Sequence, residues 1–165
     1  MSDDTKQRET EITTPSDTEI RIERTFDAPR ELVWECHADP DLLCEWLGPR
    51  RLTMRVEEYD FRPGGSYRYV HSDDEGNEHV FFGEFLEVAE PELIVQTFCF
   101  VMEPPVPPSI DRTEFVDLGD GRTRLVTSSE FESKELRDGL IQSGMESGVV
   151  QGYARLDELL ERRRG

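Results

Sequence analysis

Residues 134–164 have the pattern of one long amphipathic helix. The segment contains no proline, and its apolar residues recur three and four positions apart, which places them in a single stripe along one side of an α-helix. The stripe consists of Leu136, Leu140, Ile141, Met145, Val149, Tyr153, Leu156, Leu159 and Leu160. Such a helix must bury its stripe against other elements, so this segment constrains the fold of everything that precedes it.

Most of the preceding chain has the pattern of short strands separated by turn signals. Alternation of apolar and polar residues predicts strands over 19–26, 52–61, 66–71, 78–88, 93–102, 112–118 and 122–131. Asp27 or Pro29 starts the first of two short predicted helices after the first strand, and the Asp39-Pro40 step starts the second. Ser133 is placed to cap the long helix. Segment 102–110 holds four prolines and is predicted to be a stiff loop.

These elements predict an α+β fold of defined architecture. A curved antiparallel sheet of six or seven strands wraps around the long C-terminal helix, and the two short helices follow strand 1. This geometry leaves a hollow between the helix and the sheet.

The length of 165 residues suits one domain with a sizeable core. We expect that domain over residues 18–165, preceded by a disordered acidic tail over 1–17, whose only large apolar side chain after Met1 is Ile12. The sequence has no apolar signal-peptide core and no run of about 18 apolar residues. A cytoplasmic location is therefore expected.

The charge is strongly negative. The chain carries 37 acidic and 19 basic residues, a net charge of −18, and only two of the basic residues are lysines. Such a field repels nucleic acids and anionic membranes, so neither is expected as a partner. Two explanations stay open: an ordinary acidic protein from a source that favours arginine, or adaptation to high salt, where screening removes the self-repulsion.

The cysteines give no sign of a disulfide framework or a metal centre. Cys36, Cys44 and Cys99 form neither a CxxC pair nor an even set, and reduced thiols are expected. The spacing of Cys36, His37 and Cys44 fits no common zinc pattern. We therefore predict no metal and no cofactor.

Several motifs occur together in the order that one known family has them. They are DAPRELVWE, DPDLLCEWLGPR, FRPGGSYRYV, FFGEFLEV with EPELIVQTF, and SKELRDGLIQSGMESGVVQGYARLDELL. Across residues 19–162 the chain resembles the AHSA-type branch of the SRPBCC superfamily, which also includes START and pollen-allergen-like (Bet v-like) proteins. The resemblance implies the helix-grip fold. Trp46-Leu47 and Tyr153 depart from the aromatic residues common in relatives, so no ligand is carried over from a relative.

The resemblance implies a ligand cavity in the hollow, and strand register suggests its lining. If Tyr67 and Tyr69 face inward, simple hairpin pairing places Gly83 and Phe81 opposite them on the same face. Gly83 then leaves room for Tyr67. Glycines 144, 148 and 152 on the long helix have two open explanations, close packing on the sheet or volume left for a ligand.

The candidate cavity residues are mainly aromatic. They are Trp34, Trp46, Tyr67, Tyr69, Phe81, Gly83, Phe85, Phe98, Met145, Val149 and Tyr153. Candidates for orienting a ligand by hydrogen bonds are Tyr67, Tyr69, His71, Gln96, Thr127 and Ser129. His71 should lie opposite His79 across the hairpin, and both are interpreted as partly exposed residues near a turn.

Three functions follow from this reading. The leading hypothesis is a cofactor-free binding module for a small apolar or aromatic molecule. A second is a polyketide cyclase- or hydrolase-like enzyme, in which Glu58 or Asp60 would act with His71 or Tyr67; no catalytic motif is present, so no catalytic residue is assigned outside that case. The third is a co-chaperone, because the eukaryotic namesakes stimulate a heat-shock chaperone's ATPase. A weak homodimer is left open.

Overall fold

The computed structural model of the protein describes residues 10–101 and 105–164. It contains eight strands and four helices within these ranges. The strands are β1 (Glu11–Thr13), β2 (Glu19–Phe26), β3 (Thr53–Tyr59), β4 (Ser66–Ser72), β5 (Glu78–Ala89), β6 (Leu93–Phe100), β7 (Ser109–Asp117) and β8 (Thr123–Glu130). The helices are α1 (Arg30–Ala38), α2 (Pro40–Leu43), α3 (Lys134–Gln142) and α4 (Met145–Arg164).

The strands form one curved antiparallel sheet, and the C-terminal helices cover its inner face. The strand order is β1-β2-β8-β7-β6-β5-β4-β3. This confirms the predicted α+β helix-grip architecture, including the two short helices after the strand Glu19–Phe26. No helix in the described part of the chain is both long and apolar enough to cross a membrane.

The sheet has one strand more than the upper predicted number. The additional strand is β1, whose Ile12 lies opposite Ile22 of β2. It falls within the predicted disordered tail 1–17, so that prediction is wrong for residues 11–13, because β2 supplies the backbone partners that the local composition does not reveal. Residues 1–9 of the predicted tail lie outside the described residues.

The β4–β5 hairpin has the predicted register. Tyr67 lies opposite Gly83, Tyr69 opposite Phe81, and His71 opposite His79. Because directly opposed residues share one face of a sheet, the buried Tyr67 and Tyr69 place Phe81 on the inner face as well.

The C-terminal helix is interrupted, so the prediction of one unbroken helix over 134–164 is wrong. Helix α3 begins as predicted, with the Ser133 side chain accepting a hydrogen bond from the Leu136 N–H at 3.2 Å. It ends at Gln142, and Gly144 then takes a φ of +88°, a left-handed conformation that glycine adopts without steric cost. Helix α4 starts immediately afterwards.

The main core lies under the second half of α4. Tyr153, Leu156, Leu159 and Leu160 are buried in one cluster with the inner faces of β2, β7 and β8. Each fully buried side chain of this size contributes about 1.5–3 kcal/mol of transfer free energy. Ile141 of the predicted stripe is 40% exposed, because the break redirects the helix before it reaches this core.

Candidate ligand-binding site

A group of polar side chains lies on the inner face of three central strands. We call it the polar patch; it comprises Gln96 of β6, Ser109, Asp111 and Thr113 of β7, and Thr127 and Ser129 of β8. Asp111 lies directly between Gln96 and Ser129 in the sheet. Thr113 lies opposite Thr127, and their hydroxyl oxygens are 3.3 Å apart.

The alternation of β7 turns Asp111 inward. Ser109, Thr113 and Phe115 are buried, whereas the intervening Arg112 is exposed. Because residues two apart share one face of a strand, Asp111 points to the same inner side as the three buried residues. The strand therefore presents a carboxyl group to the space beneath the C-terminal helices.

Asp111 is half-buried and has few polar partners. Desolvation by burial raises the pKa of its carboxyl group to about 6, although hydrogen bonds from Ser129 and Ser109 act in the opposite direction. The Ser109 hydroxyl donates to Oδ1 at 3.3 Å. At neutral pH this group is mainly ionised in a poorly solvated position.

The charge of Asp111 affects the pKa of three tyrosines. Burial raises the pKa of Tyr67, Tyr69 and Tyr153, and the negative charge of Asp111 adds to each increase. Two of these residues are on β4 and the third is on α4. The negative charge of Asp111 therefore acts on side chains of both β4 and α4.

Four apolar side chains border the same space without closing it. Phe81, Phe98, Met145 and Val149 pack against the core cluster and are still only partly buried. Phe81 stacks on Phe98 with ring centroids 5.5 Å apart, and Phe98 lies opposite Ser109 of the polar patch. These four side chains thus keep exposed surface beside the polar patch, and we call the region between them and the patch the inner hollow.

The predicted cavity residues divide between the inner hollow and the filled core. Phe81, Phe98, Met145 and Val149 border the hollow. The remaining side chains are buried in the core: Trp34, Trp46, Tyr67, Tyr69, Phe85 and Tyr153. Ligand contact by either group stays a prediction.

Aromatic packing fills the core beneath α1 and α2. Trp34 meets Phe115 edge-on, with ring centroids 5.0 Å apart. The indole N–H of Trp46 donates to the Cys36 carbonyl oxygen at 2.9 Å. Tyr153 meets Phe26 edge-on at 5.4 Å. Trp34 is thus packed against aromatic rings, and Trp46 is engaged with protein through both its ring and its indole N–H.

Gly83 is required by the closeness of its neighbours. A Cβ atom there would lie 2.1 Å from the Thr97 carbonyl oxygen and 2.8 Å from the Tyr67 hydroxyl. The Tyr67 hydroxyl donates to the same carbonyl oxygen at 2.6 Å. Gly83 therefore gives Tyr67 the room that the sequence predicted.

The helix glycines have different roles. A Cβ at Gly152 would lie 3.3 Å from both the Gly48 nitrogen and the Trp46 carbonyl oxygen, and one at Gly148 would lie 3.6 Å from Pro49. Close packing against the loop after α2 thus accounts for Gly152, whereas a side chain at Gly148 would make an ordinary contact with Pro49. Gly144 instead forms the break between α3 and α4, where an added Cβ would meet nothing within 4 Å.

His71 is buried, which corrects its interpretation as a partly exposed residue. It is 6% exposed, because the loop after α2 covers it: a Cβ at Gly48 would lie 2.7 Å from its Cε1 atom. Desolvation lowers the pKa of His71 to about 4, and the nearby His79 and Arg155 lower it further. Its imidazole is neutral at pH 7 and lies under this loop.

The carboxylates considered for an enzyme, Glu58 and Asp60, have exposed side chains, which argues against that assignment. Glu58 is exposed. Asp60 has a side chain 43% exposed and pairs with Arg62 at 2.8 Å. A bulge between Val56 and Glu58 shifts the register of β3. The alternation of residues along this strand therefore does not predict which side chains face inward.

The carboxylate on the inner face is the half-buried Asp111, which the sequence analysis missed. The predicted strand started at residue 112, whereas β7 starts at Ser109, directly after the last proline of the loop. Counting back in steps of two from Phe115 through Thr113 would have placed Asp111 on the inner face. The polar candidates Gln96, Thr127 and Ser129 do lie around it.

The other chemistry-bearing groups offer no alternative centre. Cys36, Cys44 and Cys99 are free thiols, and burial raises the pKa of Cys36 to about 11. Among the described residues, no group of three His, Cys, Asp or Glu side chains is arranged to hold a metal ion. An open groove beside Arg30 and Arg112 has a volume of about 480 Å³, but Glu92 and Glu114 already pair with these arginines there.

Comparison with known proteins decides the family. The family model described as "Activator of Hsp90 ATPase homolog 1-like protein" matches residues 27–161. The chain belongs to this family. The matched segment runs from the start of the first short helix region almost to the end of α4 and so includes the whole inner hollow. A comparison with curated proteins gives no match.

Solved structures of bacterial proteins have the same fold. A protein from Mycobacterium smegmatis is 27% identical, with a TM-score of 0.82 over 92% of this chain and 96% of its own. A protein from Rhodobacter sphaeroides is 23% identical, with a TM-score of 0.86 over 93% of this chain and 99% of its own. An AHSA1 protein from Silicibacter pomeroyi is 20% identical, with a TM-score of 0.72 over 88% of this chain and 99% of its own.

Proposed function

We propose that this protein is a cytoplasmic binding module for a small apolar or aromatic molecule, held in the inner hollow between sheet and C-terminal helices. The observation that carries the proposal is the partial exposure of inward-facing Phe81, Phe98, Met145 and Val149. Apolar side chains on an inner face are normally packed to crystal-like density. Where they retain exposed surface beside a few convergent polar groups, a ligand site is the default interpretation.

The test uses two neighbouring valines of α4 whose side chains point in different directions. Val149 is partly buried against the core cluster, whereas Val150 is 44% exposed. Val149→Phe adds volume beside the hollow, and Val150→Phe adds the same volume to the surface. The probe is N-phenylnaphthylamine, a neutral apolar dye that fluoresces when it leaves water.

We expect wild type and Val150→Phe to bind the dye with similar affinity, and Val149→Phe to bind about tenfold more weakly or not at all, because overpacking closes a tight apolar space. Circular dichroism confirms that both variants are folded. Equal binding by both variants, or no binding by wild type, would contradict the proposal and favour a protein-partner role such as the co-chaperone.

One observation favours a second candidate, an enzyme that uses the same hollow. Asp111 has its pKa raised to about 6 by burial, which suits a general acid or base near neutral pH. An enzyme of the cyclase or hydrolase type would then act with Asp111, not with Glu58 or Asp60. Loss of turnover but not of ligand binding in Asp111→Asn would support this candidate.

A further inference from the structure

Asp111 is a desolvated carboxylate that lacks a cationic partner among the described residues. None of the ion pairs among the described residues includes a carboxylate oxygen of Asp111. Arg24, the buried arginine of the inner face, pairs with Asp157 of α4. Buried charges in proteins are normally paired or bound to metals, so Asp111 departs from the usual arrangement.

The polar patch satisfies only part of the carboxylate. Two oxygens can accept about four hydrogen bonds, and the donors described here are the hydroxyls of Ser109 and Ser129. Each serine hydroxyl has one proton to donate. Acceptor capacity therefore remains on Asp111, whose side chain lies on the inner face of the sheet.

We propose that Asp111 selects the polar end of the ligand: the hollow takes aromatic molecules that end in a hydrogen-bond donor, amines most strongly and phenols less strongly, and rejects carboxylic acids. This inference rests on the proposed binding function. A ligand ammonium group would supply the missing counter-charge and donate up to three hydrogen bonds. A ligand carboxylate would instead place like charges side by side without solvent, which is strongly unfavourable.

The apolar wall lies at a suitable distance for such a ligand. Phe98 is directly opposite Ser109, so Asp111 is its diagonal neighbour on the same face, about 7–8 Å away. That separation matches a fused aromatic ring system stacked on Phe98 with a short polar group that reaches Asp111. The stacked pair of Phe81 and Phe98 would contact the ring faces.

The experiment compares three probes with one ring system, naphthylmethylamine, naphthol and naphthoate, by isothermal titration calorimetry at pH 8. The proteins are wild type, Asp111→Asn and Asp74→Asn. Asp74 lies exposed in the β4–β5 turn, so its variant removes the same charge from the surface and controls for attraction of the amine to an acidic protein. Asn at position 111 keeps the shape and can still accept from the serines.

We expect wild type and Asp74→Asn to bind the amine about 10- to 100-fold more tightly than naphthoate, the range for a hydrogen bond to a charged group. Asp111→Asn should lose most of that preference and keep its affinity for naphthol within a few-fold. Equal affinities for all three probes in wild type would overturn the inference while leaving the binding function standing. An unchanged preference in Asp111→Asn would also overturn it. Failure of all three probes to bind would contradict the binding function itself.

Discussion

Replacing Asp111 by Asn should stabilise the protein at neutral pH. Burial raises the pKa of this carboxyl from 3.8 to about 6. Its charged form is therefore less favourable in the folded than in the unfolded chain. An uncharged amide of the same shape removes that penalty and leaves an oxygen that accepts from Ser109 and Ser129.

The magnitude follows from linkage between protonation and folding. A pKa shift of about 2 units corresponds to about 3 kcal/mol, since each unit is worth about 1.4 kcal/mol. The folded protein holds the proton more tightly than the unfolded chain, so stability falls as pH rises from about 4 to about 6. Unpaired amide hydrogens of Asn cost about 1–2 kcal/mol, which leaves a net gain of about 1–2 kcal/mol above pH 7.

Urea unfolding of wild type, Asp111→Asn and Asp74→Asn at pH 8 and pH 4 measures this difference. At pH 8 the Asp111→Asn midpoint should lie above that of wild type, with an unchanged slope. At pH 4, where Asp111 is largely protonated when folded, that advantage should disappear. Asp74→Asn, which removes an exposed charge, should show a much smaller difference at either pH. A destabilised Asp111→Asn at pH 8, or a gain equal at both pH values, would refute the assignment of a desolvated carboxylate.

Three further predictions concern packing, pH and salt. Gly83→Ala should destabilise the protein by about 1–3 kcal/mol, because its Cβ would overlap the Thr97 carbonyl. Gly139→Ala on α3, where a Cβ meets nothing within 4 Å, should stabilise the protein by about 0.5–1 kcal/mol. Chemical unfolding measures the free energy of unfolding of both variants. Because the pKa of His71 is lowered, its contribution to stability is present above pH 6.5 and is lost as the pH falls towards 4. His71→Gln should therefore lose less stability than wild type over that range. Acid titrations followed by circular dichroism measure this difference. If the net charge of −18 reflects adaptation to high salt, the melting temperature should rise in molar KCl as self-repulsion is screened, and an unchanged curve would exclude that explanation.

Local sequence patterns predicted the parts of the fold that local rules control. The β4–β5 hairpin has a short turn and strict alternation, so pairing outward from the turn gave the observed Tyr67–Gly83 and His71–His79 pairs. The Ser133 cap also depends on residues within one helical turn. These features need no knowledge of distant parts of the chain.

The missed features depend on backbone conformation or on distant partners. Apolar spacing continues across Gly144, and only its positive φ ends α3. The strand β1 exists because β2 offers it an edge, and His71 is buried because the loop containing Gly48 lies over it. The sequence analysis missed Asp111 because it lies near the start of β7, beside a proline-rich loop, and the ends of elements are the least precise part of a sequence-based prediction.

The break at Gly144 divides the C-terminal helical segment into units of unequal local stability. Helix α4 holds the loop after α2 through Arg155, which donates to the Gly48 and Glu45 carbonyl oxygens at 3.0 Å each, and it buries its leucines. Helix α3 buries far less, and its backbone hydrogen bonds end with the Gly144 N–H, which donates to the Ile141 carbonyl oxygen at 3.3 Å. Its amide protons can therefore exchange with solvent through local opening, whereas those in the second half of α4 exchange only when the core itself unfolds. Opening of the nine residues of α3 thus costs less free energy than unfolding of the domain.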